Sequence, residues 1–77
     1  MIIIRIIFTY HAEERLKKRN IQKEDAMLTI KYPDNILKKY GKYYFQKEIG
    51  LGKIEGVCVK AENILNIATL YWLEKWK

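Results

Sequence analysis

Pro33 is the chain's only proline, and it separates two parts of the sequence with different patterns. Proline has no amide hydrogen and pushes the residue before it out of the helical region, so a helix must end before 32–34. Charge-rich segments with helical spacing precede this point, whereas segments rich in aromatic and β-branched residues follow it. The sequence therefore predicts an α+β fold.

Before Pro33 we expect one strand and two helices. Residues 2–8 are almost continuously apolar and predict a strand that is covered on both faces or paired centrally. Thr9 can cap a following helix, and Asn20 can end it because asparagine tolerates the left-handed conformation. A second helix is predicted over residues 23–31, which completes a helical hairpin.

After Pro33 we expect a polar link that contains Lys38, Lys39 and Gly41, followed by three strands in an antiparallel meander. The predicted strands and the turns between them cover residues 43–49, 50–52, 53–60, 61–63 and 64–73. The predicted order is β-α-α-β-β-β, with the helical hairpin packed on a small, mostly antiparallel sheet.

Length and charge limit what this protein can be. Its 77 residues suffice for one core, so residues 1–77 are predicted to form a single domain. A net charge of +6 attracts polyanions. One cysteine beside one histidine argues against a disulfide and against a zinc site, and it favours a reducing, cytoplasmic setting. The opening apolar run is too short for a membrane span, so no membrane partner is expected.

The first predicted helix has a cationic side. His11, Arg15 and Lys18 fall within about 60° on a helical wheel, and Arg19 flanks them. Such a face could hold a phosphodiester, with His11 as a proton donor or acceptor near neutral pH. The alternative is a solvated helix surface supported by pairs such as Glu13 with Lys17.

Lysines and aromatic side chains alternate along the predicted strands. Single-stranded nucleic acids bind to such surfaces because bases stack on rings while ammonium groups follow phosphates. The lysines are Lys42, Lys47, Lys53 and Lys60. The alternative is that Tyr43, Phe45, Tyr71 and Trp72 serve as core and sheet-face residues.

Three stretches, FTYHAEERLKKRNIQKEDAMLTIKYPDNI, GKYYFQKEIGLGKIEGVCVK and LYW, are similar to a small prokaryotic family of unknown function. Members of that family begin with F-[TS]-x-H-A-x-x-R-[LM], and the family resembles the RelE, ParE and BrnT toxins in length and element order. The resemblance implies a RelE-like ribonuclease that cleaves messenger RNA on the ribosome without metal or other cofactor. It also implies a protein antitoxin that covers the basic surface.

The resemblance assigns roles to residues of this chain. It implies that His11, Arg15 and Tyr71 are catalytic. The residues expected to bind nucleic acid are Lys18, Arg19, Lys42, Lys47, Lys53 and Lys60. No arginine follows Arg19, however, and lysine lacks the planar fork of a guanidinium. A non-catalytic module that binds RNA or an acidic protein through an added strand therefore remains an alternative, as does a homodimer.

Overall fold

The computed structural model describes residues 5–76, which form two helices and one five-stranded sheet. The elements are β1 (Arg5–Phe8), α1 (Tyr10–Lys18), α2 (Lys23–Lys31), β2 (Asn35–Lys39), β3 (Lys42–Ile49), β4 (Gly52–Ala61) and β5 (Ile64–Lys75). The sheet order is β1-β5-β4-β3-β2; β1 pairs with β5 in parallel, and the other pairs are antiparallel. The predicted α+β class is confirmed, with a mixed sheet.

The helix ends follow the predicted chemistry. The Thr9 hydroxyl accepts a hydrogen bond from the Ala12 amide at 3.1 Å and so caps α1. Asn20 adopts a φ of 54°, the left-handed conformation expected after a helix. α2 ends at Lys31, ahead of Pro33, as predicted. Neither helix within residues 5–76 is long and apolar enough to cross a membrane.

Strand β2 was predicted to be a link, and that prediction is wrong. Tyr40 and Gly41 have φ values of 52° and 74°, so two residues suffice to reverse the chain as in a type I′ turn. Because the turn is so tight, Asn35–Lys39 lies directly beside β3 and pairs with it. Tyrosine rarely adopts a positive φ, so residues 40–41 lack the usual sequence signal of a hairpin turn.

The placement of the first strand also differs from the prediction. Residues 2–4 lie outside the described residues, and Arg5–Phe8 is an edge strand that pairs only with β5. Ile6 and Phe8 pack against the core while Arg5 is exposed. Of the two predicted alternatives, central pairing is wrong for Arg5–Phe8, because within residues 5–76 this strand has a neighbouring strand on one side only.

Both helices pack on one face of the sheet. Ala12 and Leu16 of α1 and Ala26 and Ile30 of α2 are buried in one cluster with sheet residues. The sheet residues of this cluster are Phe45, Ile54, Cys58, Leu65, Ile67 and Leu70. Because side chains alternate along a strand, the opposite face carries a different set, including Gln46, Glu55, Val57 and Tyr71. We call that side the helix-free face.

Gly52 allows β4 and β5 to approach closely. A Cβ atom at this position would meet the backbone oxygen of Glu74 and would lie 2.9 Å from Cε3 of Trp72. We expect Gly52→Ala to lower the free energy of unfolding by about 1–3 kcal/mol, because the backbone cannot yield without losing strand pairing. Urea unfolding followed by tryptophan fluorescence measures the loss.

Gly56→Ala is the matched control for that prediction. Its added Cβ would lie 3.0 Å from Cδ1 of Ile30, a terminal methyl group that can turn away. We expect a smaller loss than for Gly52→Ala. Equal losses for the two variants would contradict the argument from close backbone approach.

Candidate nucleic-acid interface

Helix α1 is fixed to the sheet at the point where β1 ends. The Thr9 hydroxyl donates to the Ile67 carbonyl oxygen at 2.9 Å, and the Thr9 amide donates to the same oxygen at 3.3 Å. Ala12 and Leu16 then bury one side of the helix against the sheet. The remaining side carries His11, Arg15, Lys18 and Arg19, which we call the cationic face of α1.

His11 and Arg15 contact each other on this face. The Arg15 Nε–H group donates to Nε2 of His11 at 3.2 Å, across one turn of the helix. Nε2 is the acceptor of this hydrogen bond. His11 is exposed and Arg15 is half-buried. An imidazole and a guanidinium are therefore adjacent at the surface.

Arg19 fastens the end of α1 to β5. Its Nη1 donates to the Leu70 carbonyl oxygen at 2.6 Å and to the Thr69 hydroxyl at 3.2 Å. Its guanidinium carbon lies 5.7 Å from the centroid of the Tyr71 ring. The Arg19 carbonyl accepts from Nε1 of Trp72 at 2.9 Å. A guanidinium has five donor hydrogens, so these contacts leave some of them for a ligand.

Tyr71 belongs to a hydrogen-bonded row on the helix-free face. Its hydroxyl donates to Oε1 of Glu55, and Nε2 of Gln46 donates to Oε2 of the same carboxylate at 2.6 Å. These three residues are direct cross-strand neighbours on β3, β4 and β5. Burial, followed by the hydrogen bond to Glu55, raises the pKa of Tyr71. The phenol therefore keeps its proton and donates a hydrogen bond to Glu55.

Lys47 is engaged at the end of α2. Its Nζ donates to the Tyr32 carbonyl oxygen at 2.8 Å and lies 3.6 Å from Oδ1 of Asp34. The Asp34 carboxylate accepts from the Glu48 amide at 2.9 Å. This backbone hydrogen bond, and then the positive charge of Lys47, lowers the pKa of Asp34. Lys47, predicted to bind phosphate, thus ties α2 to β3.

The other predicted lysines are spread over the molecule. Lys18 is exposed at the end of α1, and Lys60 is exposed near the end of β4. Lys42 is the cross-strand partner of Lys39. Lys53 lies between Glu48 and Glu74, its partners on the neighbouring strands.

The structure brings together only part of the predicted site. His11 and Arg15 are in contact, and Arg19 connects the same helix to Tyr71. Lys47, in contrast, is held on β3, which β4 separates from β5. Lys47 therefore binds the end of α2 and not the cationic face of α1.

Glu55 and Gln46 also belong to this region, although neither was predicted as a site residue. Glu55 is only 7% exposed although it is a carboxylate, and both of its oxygens have protein donors. A signal was present: Glu55 is the one charged residue within the apolar centre of its strand. A charge in such a position requires partners on the adjacent strands.

Cys58 is a buried free cysteine. Burial raises the pKa of the Cys58 thiol to about 12, so the thiol is protonated at neutral pH. No cluster of three metal-binding side chains occurs within the part of the chain that the structure describes.

We predict that Tyr71→Phe changes the pH dependence of stability. The folded state raises the pKa of Tyr71 above its ordinary value of 10.0, so it holds the phenol proton more tightly than the unfolded state does. The corresponding stability is present below pH 10 and lost as the pH rises above it. Urea unfolding from pH 7 to 11 should show a steeper decline for the wild type than for Tyr71→Phe.

The same variant should be less stable at neutral pH. Tyr71→Phe removes one donor from the buried Glu55 carboxylate, which costs about 1–3 kcal/mol. Tyr40→Phe is the matched control, because that side chain is 94% exposed. Parallel pH profiles for the wild type and Tyr71→Phe would contradict the assigned hydrogen bond.

Comparison with known proteins gives one match. The profile of the family described as "Domain of unknown function (DUF4258)" matches residues 8–72, from the end of β1 to Trp72. Searches of curated proteins and of solved structures gave no match. Since the family profile covers most of the chain, this protein belongs to the DUF4258 family.

Proposed function

We propose that this protein is a RelE-like, toxin-type endoribonuclease that acts on messenger RNA without a metal ion. The observation that carries the proposal is the contact between Nε2 of His11 and Nε of Arg15, at 3.2 Å on an accessible cationic helix face. A base beside a guanidinium is what cleavage of a phosphodiester by an internal hydroxyl requires.

The proposed reaction uses the ribose 2′-hydroxyl as nucleophile. Arg15 turns from Nε2 of His11 to the bound phosphate, which frees this nitrogen to take the proton from the hydroxyl, and the oxygen attacks the adjacent phosphorus. Arg15 stabilises the negative charge that develops on the phosphate oxygens. The bond to the 5′ oxygen breaks, and this oxygen takes a proton from water. The products are a 2′,3′-cyclic phosphate and a 5′-hydroxyl.

The remaining residues of the region bind rather than react in this proposal. Lys18 and the free donors of Arg19 hold neighbouring phosphates along α1. The Tyr71 ring lies beside Arg19, while its hydroxyl keeps its proton and donates to Glu55. This role for Tyr71 departs from the proton transfer that the toxin resemblance implies. A RelE-like fold is supported by two helices that precede an antiparallel set of strands.

A second candidate function is a non-catalytic module that binds RNA or an acidic protein. Two contacts favour it: the Tyr71 hydroxyl is bonded to Glu55, and the Lys47 ammonium is bonded to the Tyr32 carbonyl. Both groups are predicted to act on RNA, yet both have partners within the fold. In this alternative, the cationic face of α1 binds phosphates without cleaving the chain.

The proposal predicts that RNA cleavage depends on His11 and Arg15. We expect His11→Ala and Arg15→Ala each to slow cleavage of a defined messenger RNA by about 100-fold or more, because each removes one of the two catalytic groups. Gel analysis in buffer with excess EDTA measures cleavage. Lys17→Ala is the control, since Lys17 is exposed on the opposite side of α1 and should stay within about twofold of wild type.

The two candidate functions give different results in this experiment. Cleavage that requires His11 and Arg15 supports the ribonuclease. RNA binding that weakens steeply with salt, without cleavage, supports the non-catalytic module. If the purified protein neither cleaves nor binds RNA, and its expression does not slow bacterial growth, both RNA functions are contradicted.

A further inference from the structure

Strand β2 leaves one edge of the sheet open. It is the last strand in the sheet order and pairs only with β3 among the described residues. All five of its residues, Asn35–Lys39, are exposed. In an edge strand, alternate amide and carbonyl groups point away from the sheet, so β2 offers both donors and acceptors to another chain.

The side chains of β2 are unusually apolar for an exposed edge. Ile36 is 48% exposed and Leu37 is 41% exposed, and they point to opposite faces of the sheet. Ile36 is the cross-strand partner of the buried Phe45, and Leu37 is the partner of Tyr44. An added strand would cover an apolar side chain on each face.

A groove lies on the face of the sheet that carries the helices, and it extends from Ile36 of β2 to Ile6 of β1. It has a volume of about 420 Å³ and a mainly apolar lining. The lining includes Ile6, Ile30, Pro33, Ile36, Phe45 and Leu65. Ile36 forms the end of the groove at β2, so a strand added next to β2 would place alternate side chains beside this end.

Charge decides which strand fits. Lys38 and Lys39 lie on β2, and Lys42 is the cross-strand partner of Lys39. Asp34, at the start of the strand, is already paired with Lys47. A second copy of a chain with a net charge of +6 would add like charge at this edge, whereas an acidic strand would compensate it.

We propose that the outer edge of β2 binds an acidic strand of a partner protein, in which acidic and apolar residues alternate. RNA fits this edge less well, because a phosphate backbone cannot donate hydrogen bonds to the β2 carbonyl groups or cover Ile36 and Leu37. The proposal goes beyond the RNA function and does not depend on it. The strand edge and the lysines that carry it belong to β2, whereas the cationic face belongs to α1.

Selection from a random decapeptide library displayed on phage tests the proposal. We expect the wild-type protein to enrich peptides with alternating acidic and apolar residues. A synthetic copy of one enriched peptide should bind the double variant Lys38→Glu, Lys39→Glu at least tenfold more weakly. The charge-matched double variant Lys17→Glu, Lys75→Glu should bind within twofold of wild type, because both lysines are exposed and lie outside β2.

Hydrogen exchange then locates the bound peptide. Addition of the peptide should slow amide exchange within residues 35–39, and thermal unfolding should show that both double variants are folded. The proposal is overturned if no peptide is enriched, if the enriched peptides lack acidic residues, or if protection appears away from β2. It is also overturned if the binding of a uridine decamer depends on Lys38 and Lys39 and the binding of the peptide does not.

Discussion

The parallel pairing of β1 with β5 positions the cationic face of α1 on the sheet. β1 extends only to Phe8, whose partner is Ile67, while β5 continues to Lys75. From Ala68 onward, one edge of β5 therefore has no neighbouring strand among the described residues. The chain turns into α1 at this point, because Thr9 bonds to the Ile67 carbonyl. The helix that follows is thereby placed over the part of β5 that contains Tyr71.

Arg19 donates a hydrogen bond to the edge of β5 that β1 leaves unpaired. A strand edge exposes carbonyl groups that need donors, and Nη1 of Arg19 supplies one to Leu70. The same side chain lies against the Tyr71 ring, whose hydroxyl bonds to Glu55, which in turn bonds to Gln46. A continuous polar row thus runs from α1 across β5 and β4 to β3. Within this row, positive charge on the helix is balanced by one buried carboxylate.

Local chemistry could be predicted from the sequence, and long-range pairing could not. The cap at Thr9, the left-handed Asn20 and the end of α2 before Pro33 depend on neighbouring residues, and all three are confirmed. The contact of His11 with Arg15 follows from spacing along one helix. β2 was missed because its turn contains Tyr40 at a positive φ instead of the usual asparagine.

The binding partners of Lys47 could not be predicted from the sequence. A lysine that alternates with aromatic residues on a strand looks the same in sequence whether it faces a ligand or the fold.

The partners of Lys47 in the structure are the Tyr32 carbonyl oxygen and Asp34. They lie just after α2, far from Lys47 in the sequence, and they contact β3 only once the chain has folded. The cationic residues of α1 and those of β2 have different surroundings. On α1, His11 and Arg15 contact each other at the surface, whereas at β2 the lysines accompany an open strand edge. Phosphate chemistry suits the first arrangement, and strand pairing suits the second.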